Sequence, residues 1–302
     1  MDLIKSAKKR KQYIAISLIL VILSIVSILY FKLSFGIDFA GGTLLEIKTS
    51  NDISREKLSE KIQLVDFIDS PIVQSTDNNQ FIIRTSHLEK NEIDILNSHI
   101  SNEVGEYEQI RLEVVGPTIS QDTTQKAIWA IILASLAIII YIAYAFRQVP
   151  KPANSWKFGI TAIITLIHDL LITIGIFAIL GYLFNYEINS LFIVAMLTIL
   201  GYSVNDTIII FDRIRENLKL NLHQNSFAEI VNQSLIQSIT RSLNTSITLI
   251  LVLTTLLLLG GESIRSFISL LLIGTIIGTY SSMFLAPPLL TSWQLKHKNN
   301  IK

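Results

Sequence analysis

Six apolar blocks, at roughly 13–31, 126–146, 158–181, 188–211, 239–259 and 266–290, constrain this chain more than any other feature. A helix needs about 20 apolar residues to cross the hydrocarbon of a bilayer. Only helices and closed barrels satisfy their backbone groups there. Half of the 302 residues are hydrophobic and 16% are charged, and the apolar ones fall in blocks instead of being spread through the chain. The pattern is that of a polytopic α-helical membrane protein with six transmembrane helices. The first block follows Lys8, Lys9, Arg10 and Lys11, as a signal peptide would. However, Tyr13 to Phe31 is longer than a signal core and ends in Leu29, Tyr30 and Phe31 without a small-residue cleavage pattern, so it reads as a retained anchor.

The net charge of +1 conceals a split. Between Gly36 and Asp122 stand 7 Lys/Arg against 16 Asp/Glu, −9 net, which leaves +10 on everything else. An acidic soluble insert is thus set in a membrane protein with basic flanks. An even number of spans places both termini on one side. The N-terminal tail, the loop with Arg147, Lys151 and Lys157, the loop with Arg213, Arg215 and Lys219, and the tail with Lys296, Lys298 and Lys302 share that side. Their basic residues make it the cytoplasm. The opposite short connections, 182–187 and 260–265, carry only Glu187, Glu262 and Arg265. With no cysteine, the insert holds itself by its core alone.

Within the insert the periodicity alternates. Gly42 to Lys48 reads as a strand, and Ser54 to Val65 as a helix with Ser54 as N-cap. Ile72 to Gln74 and Phe81 to Arg84 read as strands around a turn at Asp77, Asn78 and Asn79. A second helix follows from about Asn91, and Ile110 to Val115 is a closing strand. Strand, helix, strand, strand, helix, strand is the ferredoxin-like split βαβ arrangement of an α+β domain. Gly36, Gly41 and Gly42 on entry and Gly116 and Pro117 on exit are its expected hinges. The domains are therefore 1–31, a basic tail and first helix; 32–125, the periplasmic α+β domain; and 126–302, five further helices with an amphipathic cytoplasmic segment over 213–237. Ser226 and Glu229 read as a capping box opening a helix in that segment, with Ile230, Leu235 and Ile236 on a membrane-facing stripe.

Enzyme signatures are missing: no phosphate-binding loop, no nucleophile elbow, and five histidines (His87, His99, His168, His223, His297) without metal-ligand spacing. The chemistry is expected in the ionisable residues of the spans. Asp206 interrupts the fourth apolar block, where a carboxylate costs about 2.5 to 3.5 kcal/mol on insertion scales and marks a pathway or a buried pair. Arg241 opens the fifth block at similar depth. Because the two helices run in opposite directions, Asp206 and Arg241 are expected to face each other, either as a structural ion pair or as a proton relay whose protonation shifts helix packing. His168 and Asp169 form a second intramembrane polar site, though neighbours on a helix point about 100° apart and are not expected to share a partner. Asp212, Arg213, Arg215 and Glu216 read as a solvated cluster at the cytoplasmic edge. Gly274 and Gly278 suit a close helix contact, within the chain or with a partner.

Five stretches carry a family resemblance: FGIDFAGGTLLEI (Phe35 to Ile47), VGPTIS (Val115 to Ser120), IHD (Ile167 to Asp169), GYSVNDTIIIFDRIREN (Gly201 to Asn217) and SITRSLNTSIT (Ser238 to Thr248). Together, and in this order from first span to last, the chain resembles the SecF branch of the SecD/SecF protein-export family within the RND superfamily. The resemblance implies half of a transporter in the bacterial inner membrane. It implies SecD and the SecYEG channel as partners, with YajC and YidC beside them, and unfolded preproteins as clients. The proton gradient would be the energy source, with no cofactor and no metal. It places the proton pathway at Asp206 and Arg241. Two other readings stand beside it: a passive chain-binding scaffold whose intramembrane charges are structural, and a small-molecule or lipid exporter of the same superfamily. The small insert argues against the exporter, because it leaves little room for a substrate pocket.

Overall fold

The protein is described by a computed structural model covering residues 2–68, 71–76, 79–147, 149–150, 153–221 and 225–299. Asp77, Asn78, Lys151, His223 and Lys302 lie outside these residues, as do the side chains of Glu262, Lys296, His297 and Lys298. The elements run α1 (Ala7–Phe31), α2 (Ile37–Ala40), β1 (Gly42–Thr49), α3 (Arg55–Gln63), β2 (Ile72–Thr76), β3 (Gln80–Thr85), α4 (Lys90–Val104) and β4 (Tyr107–Val115). There follow α5 (Pro117–Ala145), α6 (Ser155–Phe184), α7 (Ser190–Asn221), α8 (Phe227–Leu259), α9 (Glu262–Phe284) and α10 (Ala286–Asn299). The chain divides into two compact units. One comprises Met1–Leu33, Ala130–Tyr186 and Leu191–Lys302; the other comprises Ser34–Trp129 with Glu187–Ser190.

The first unit is helical. Six helices are long and apolar enough to cross a membrane: α1, α5, α6, α7, α8, and α9 with α10. Small residues set how closely they lie. At Gly175 of α6 a Cβ would overlap Ser24 of α1, and Ser27 Oγ donates to the Gly175 carbonyl at 2.7 Å. At Gly274 of α9 a Cβ would overlap Ile199 of α7, and at Gly278 it would stand 3.2 Å from Ser203. The close contact expected at these two glycines is therefore made within the chain. Phe146, Phe158 and Phe211 pack their rings at centroid distances of 5.2 to 5.8 Å in the largest core cluster.

Two expectations about this unit change. The polar stretch after the fourth span is not a separate amphipathic helix, since α7 continues to Asn221 and the capping box at Ser226 and Glu229 opens α8 itself. Ile230 and Leu235 are buried in the core cluster and Ile236 packs against it half-buried, instead of the three facing a membrane surface. The last apolar block is broken at Leu285. Pro287 and Pro288 lack the N–H groups that would continue α9 and sit in the first turn of α10, where none is needed.

The second unit holds a four-stranded antiparallel sheet in the order β2-β3-β1-β4, with α3 and α4 between strands in sequence. This is the expected split βαβ topology. Leu45, Ile47, Phe81 and Ile83 of the sheet pack with Leu58, Ile62, Leu96 and Ile100 of the two helices. Ser54 caps α3, accepting from the Lys57 N–H at 3.4 Å. A capping box at Glu89 and Glu92 starts α4 at Lys90. Among the expected hinge residues, positive φ is confined to Gly41 (74°) and Gly42 (138°), and a Cβ at Gly42 would stand 2.6 Å from the Thr85 carbonyl oxygen. Gly36 takes a φ of −74°, Gly116 has no positive φ, and Pro117 opens α5.

Candidate functional site: a polar seam within the helical unit

Hydroxyl and carboxyl side chains recur at spacings of three and four along α7, α8 and α9, which puts them on one face of each helix. Tyr202, Ser203 and Asp206 lie on α7, Ser242 and Ser246 on α8, and Thr275, Thr279 and Ser282 on α9, with Ser281 beside them. With His168 and Asp169 of α6 they form a seam inside the unit. Asp169 is its most connected member. It is fully buried, and its Oδ2 accepts from Ser203 of α7 and, at 2.7 Å, from Ser281 of α9. Its Oδ1 lies 2.8 Å from Nδ1 of His168. The two adjacent residues pair with each other and share no third partner, since Nε2 of His168 has none among the described residues.

Asp206 is also fully buried, and its surroundings are the opposite. Neither carboxyl oxygen has a hydroxyl at hydrogen-bond distance, although the carboxyl faces Ser246 and the Ser242 hydroxyl of α8, which is itself without a partner and has a proton to donate. The Ser246 hydroxyl is already committed. It donates to the Ser242 carbonyl at 2.9 Å and accepts from Tyr202 and Thr279, each at 2.7 Å. No proton remains on it for Asp206. An unpartnered buried carboxyl is costly to maintain, which is why such groups call for an explanation.

Arg241 does not pair with Asp206. Consecutive residues on a helix point about 100° apart, and α8 turns Ser242 inward, so Arg241 is exposed. Its side chain lines a cavity of about 660 Å3 formed by α5, α7 and α8, together with Tyr141, Ile209, Asp212, Gln237 and Ser238. Ile209 and Arg241 stand within one helical turn, along their own helices, of Asp206 and Ser242. At the same end, the expected charge cluster resolves into two pairs. Arg213 meets Glu216 at 2.6 Å and Arg215 meets Asp212. Arg213 also donates to Gln237 at 2.8 Å, and Arg215 to the Ala145 carbonyl at 2.9 Å. Among the described residues, no group of three His, Asp or Glu side chains is placed to hold a metal ion.

The chain as a whole is similar to known proteins. The model for "Protein export membrane protein SecD/SecF, C-terminal" matches residues 96–296, and that for the "SecD/SecF GG Motif" matches residues 26–53. The chain belongs to the SecD/SecF protein-export family. Within it, a protein of Thermobaculum terrenum named protein translocase subunit SecF is 40% identical, covering 95% of this chain and 93% of its own. A protein translocase subunit SecDF of Bacillus subtilis is 32% identical over 95% of this chain and 37% of its own. The crystal structure of SecDF from Thermus thermophilus, described as a translocon-associated membrane protein, superposes with a TM-score of 0.84 at 29% identity, over 96% of this chain and 38% of that one. The chain therefore spans a little over a third of each SecDF relative. Like the other SecD/SecF family members it is a multi-pass membrane protein.

Which site residues the sequence missed is instructive. Asp206, Asp169 and His168 stand out as ionisable groups in apolar blocks. Ser203, Ser242, Ser246 and Thr279 do not, since a hydroxyl is common in membrane helices and can bond its own helix backbone. The usable signal was their three-and-four spacing.

Proposed function

We propose that the chain is a subunit of a preprotein translocase in the bacterial inner membrane, with both termini cytoplasmic. It works with SecD beside the SecYEG channel, with YajC and YidC as neighbours, and uses the proton gradient in place of any cofactor to assist export of unfolded preproteins. The 34–129 domain is the periplasmic part that moves. The observation that carries this reading is the contrast between two buried acids. Asp169 is held by three side chains on three helices and ties them together. Asp206 is held by none, so gain or loss of a proton changes its interactions the most. The cavity lined by Arg241 does not reach Asp206 but begins within a helical turn of it, at Ile208 and Ile209, and its guanidinium adds positive charge on the side from which a proton would leave. The names of the relatives support translocase membership. The passive-scaffold reading treats both acids alike and gives no reason for the unpartnered one.

The test is Asp206→Asn in membrane vesicles carrying the assembled translocase. The expected result is normal assembly and ATP-driven transport, with the gradient-dependent share of export lost. Unchanged gradient dependence contradicts the proposal.

A further inference from the structure

Asp169 accepts three hydrogen bonds, from His168 Nδ1, from Ser203 and from Ser281. An ionised carboxyl serves three donors, and this leaves the proton of a neutral His168 on Nδ1. Nε2 is then a bare acceptor, buried and without a partner among the described residues. The groups that reach Asp169 from α7 and α9 are hydroxyls, and His168 is the one chargeable side chain acting on it among the described residues. The remaining elements packed on α6 bring no charge to the pair. α1 meets α6 at Gly175 through Ser24 and Ser27, and its buried cation, Arg10, is bound to the Ile4 and Lys5 carbonyls. α10 meets α6 at Lys157, which donates to the Trp293 carbonyl about 18 Å along the helix from Asp169. The pair thus carries one negative charge inside an apolar unit, which is costly. A second proton, on Nε2, sets an imidazolium against the carboxylate and makes the pair neutral with every hydrogen bond kept.

We propose that His168 and Asp169 form a proton-holding station that supplies Asp206, taking up its proton at Nε2 of His168. The proposal rests on the coupling reading of Asp206. Two links join the acids within the helical unit. Ser203, which donates to Asp169, precedes Asp206 by three residues on α7, about 4.5 Å along the axis. Thr279, two residues before Ser281 on α9, donates to Ser246, which the Asp206 carboxyl faces. The transfer moves one proton and creates no new charge. The pair returns from neutral to one negative charge as Asp206 goes from ionised to neutral. The two acids divide the work by their contacts: Asp169 keeps its partners in either state, whereas Asp206 has none to lose.

The chain has five histidines, so nitrogen-15 labelling of histidine in the full protein in bilayers gives a readable spectrum. The His168 signals are those that disappear in His168→Asn. As the pH is lowered, the ring is expected to go from one proton, on Nδ1, to two. A ring that holds a single proton at every pH at which the protein stays folded overturns the proposal. His168→Asn supplies the second arm, because its amide N–H still serves Asp169 but takes up no proton. Vesicles holding the assembled complex with this variant are expected to lose proton movement, while its unfolding midpoint stays near that of the unsubstituted protein. Undiminished proton movement in the folded variant overturns the proposal as well. If the variant does not accumulate, the titration of the unsubstituted ring decides. If Asp206→Asn abolishes proton movement while His168→Asn leaves it whole, only the station fails. If Asp206→Asn moves protons as the unsubstituted complex does, the coupling reading fails, and the supply to Asp206 fails with it.

Discussion

Asp169 and Asp206 are the same side chain, equally buried and on neighbouring helices, yet they differ in what surrounds them. Removing a hydroxyl that serves Asp169 should therefore destabilise the helical unit. Ser281→Ala is expected to cost about 1 to 3 kcal/mol, the range for leaving a buried acceptor short of a donor, read as a lower unfolding midpoint in detergent. Asp206→Asn breaks no hydrogen bond and is expected to stay within about 1 kcal/mol of the unsubstituted protein in the same measurement. Outside the membrane, Lys61 holds Glu103 below the usual 4.5, first by their hydrogen bond and then by charge. A carboxyl lowered on folding supports the fold above its ordinary pKa, and that support fades as pH falls through the lowered value. A carbon-13 glutamate titration of the full chain should show this midpoint rising in Lys61→Ala. From the sequence, depth in an apolar block marks Asp206 and Asp169, because charge there is rare. Their partners are not legible, since a hydroxyl gives little signal, and the pairing expected for Arg241 ignored which way α8 turns Ser242.

The helices pack through positions where a methyl group does not fit. Gly274→Val should force α9 off Ile199 of α7, and Gly175→Val should force α6 off Ser24 of α1, each costing at least the roughly 1 to 3 kcal/mol typical of overpacking. Gly201 has nothing within 4 Å of its Cβ position, so Gly201→Ala should be neutral or stabilising by up to about 1 kcal/mol, as for Gly in a helix interior. Unfolding midpoints of the three variants rank them. Elements with a strong local pattern are legible: the apolar blocks, the alternating strands, and the Ser54 and Ser226 caps. What sequence misplaced were boundaries decided by tertiary contact. The Phe227–Leu235 turns look amphipathic because Asn232 and Ser234 are polar, yet those residues are occupied inside the fold. Asn232 Oδ1 accepts from the Leu3 and Ile4 amides at 2.9 and 3.1 Å, and Asn217 donates to Ser234 at 2.8 Å.

At the scale of the whole molecule, the chain corresponds to a little over a third of the SecDF relatives it matches. It also leaves apolar helix surface uncovered. On α5, Trp129, Leu133, Ile140 and Tyr144 are all more than half exposed. A half-transporter predicts that a second six-span chain co-purifies from mild detergent; a monomer that conducts protons alone would contradict that reading. If Asp206 carries the proton, proton movement in vesicles holding the assembled complex depends on its carboxyl. With an internal pH indicator and an imposed gradient, the unsubstituted complex should move protons during preprotein transport and the Asp206→Asn complex should not. Equal proton movement in the two would exclude Asp206 as the carrier.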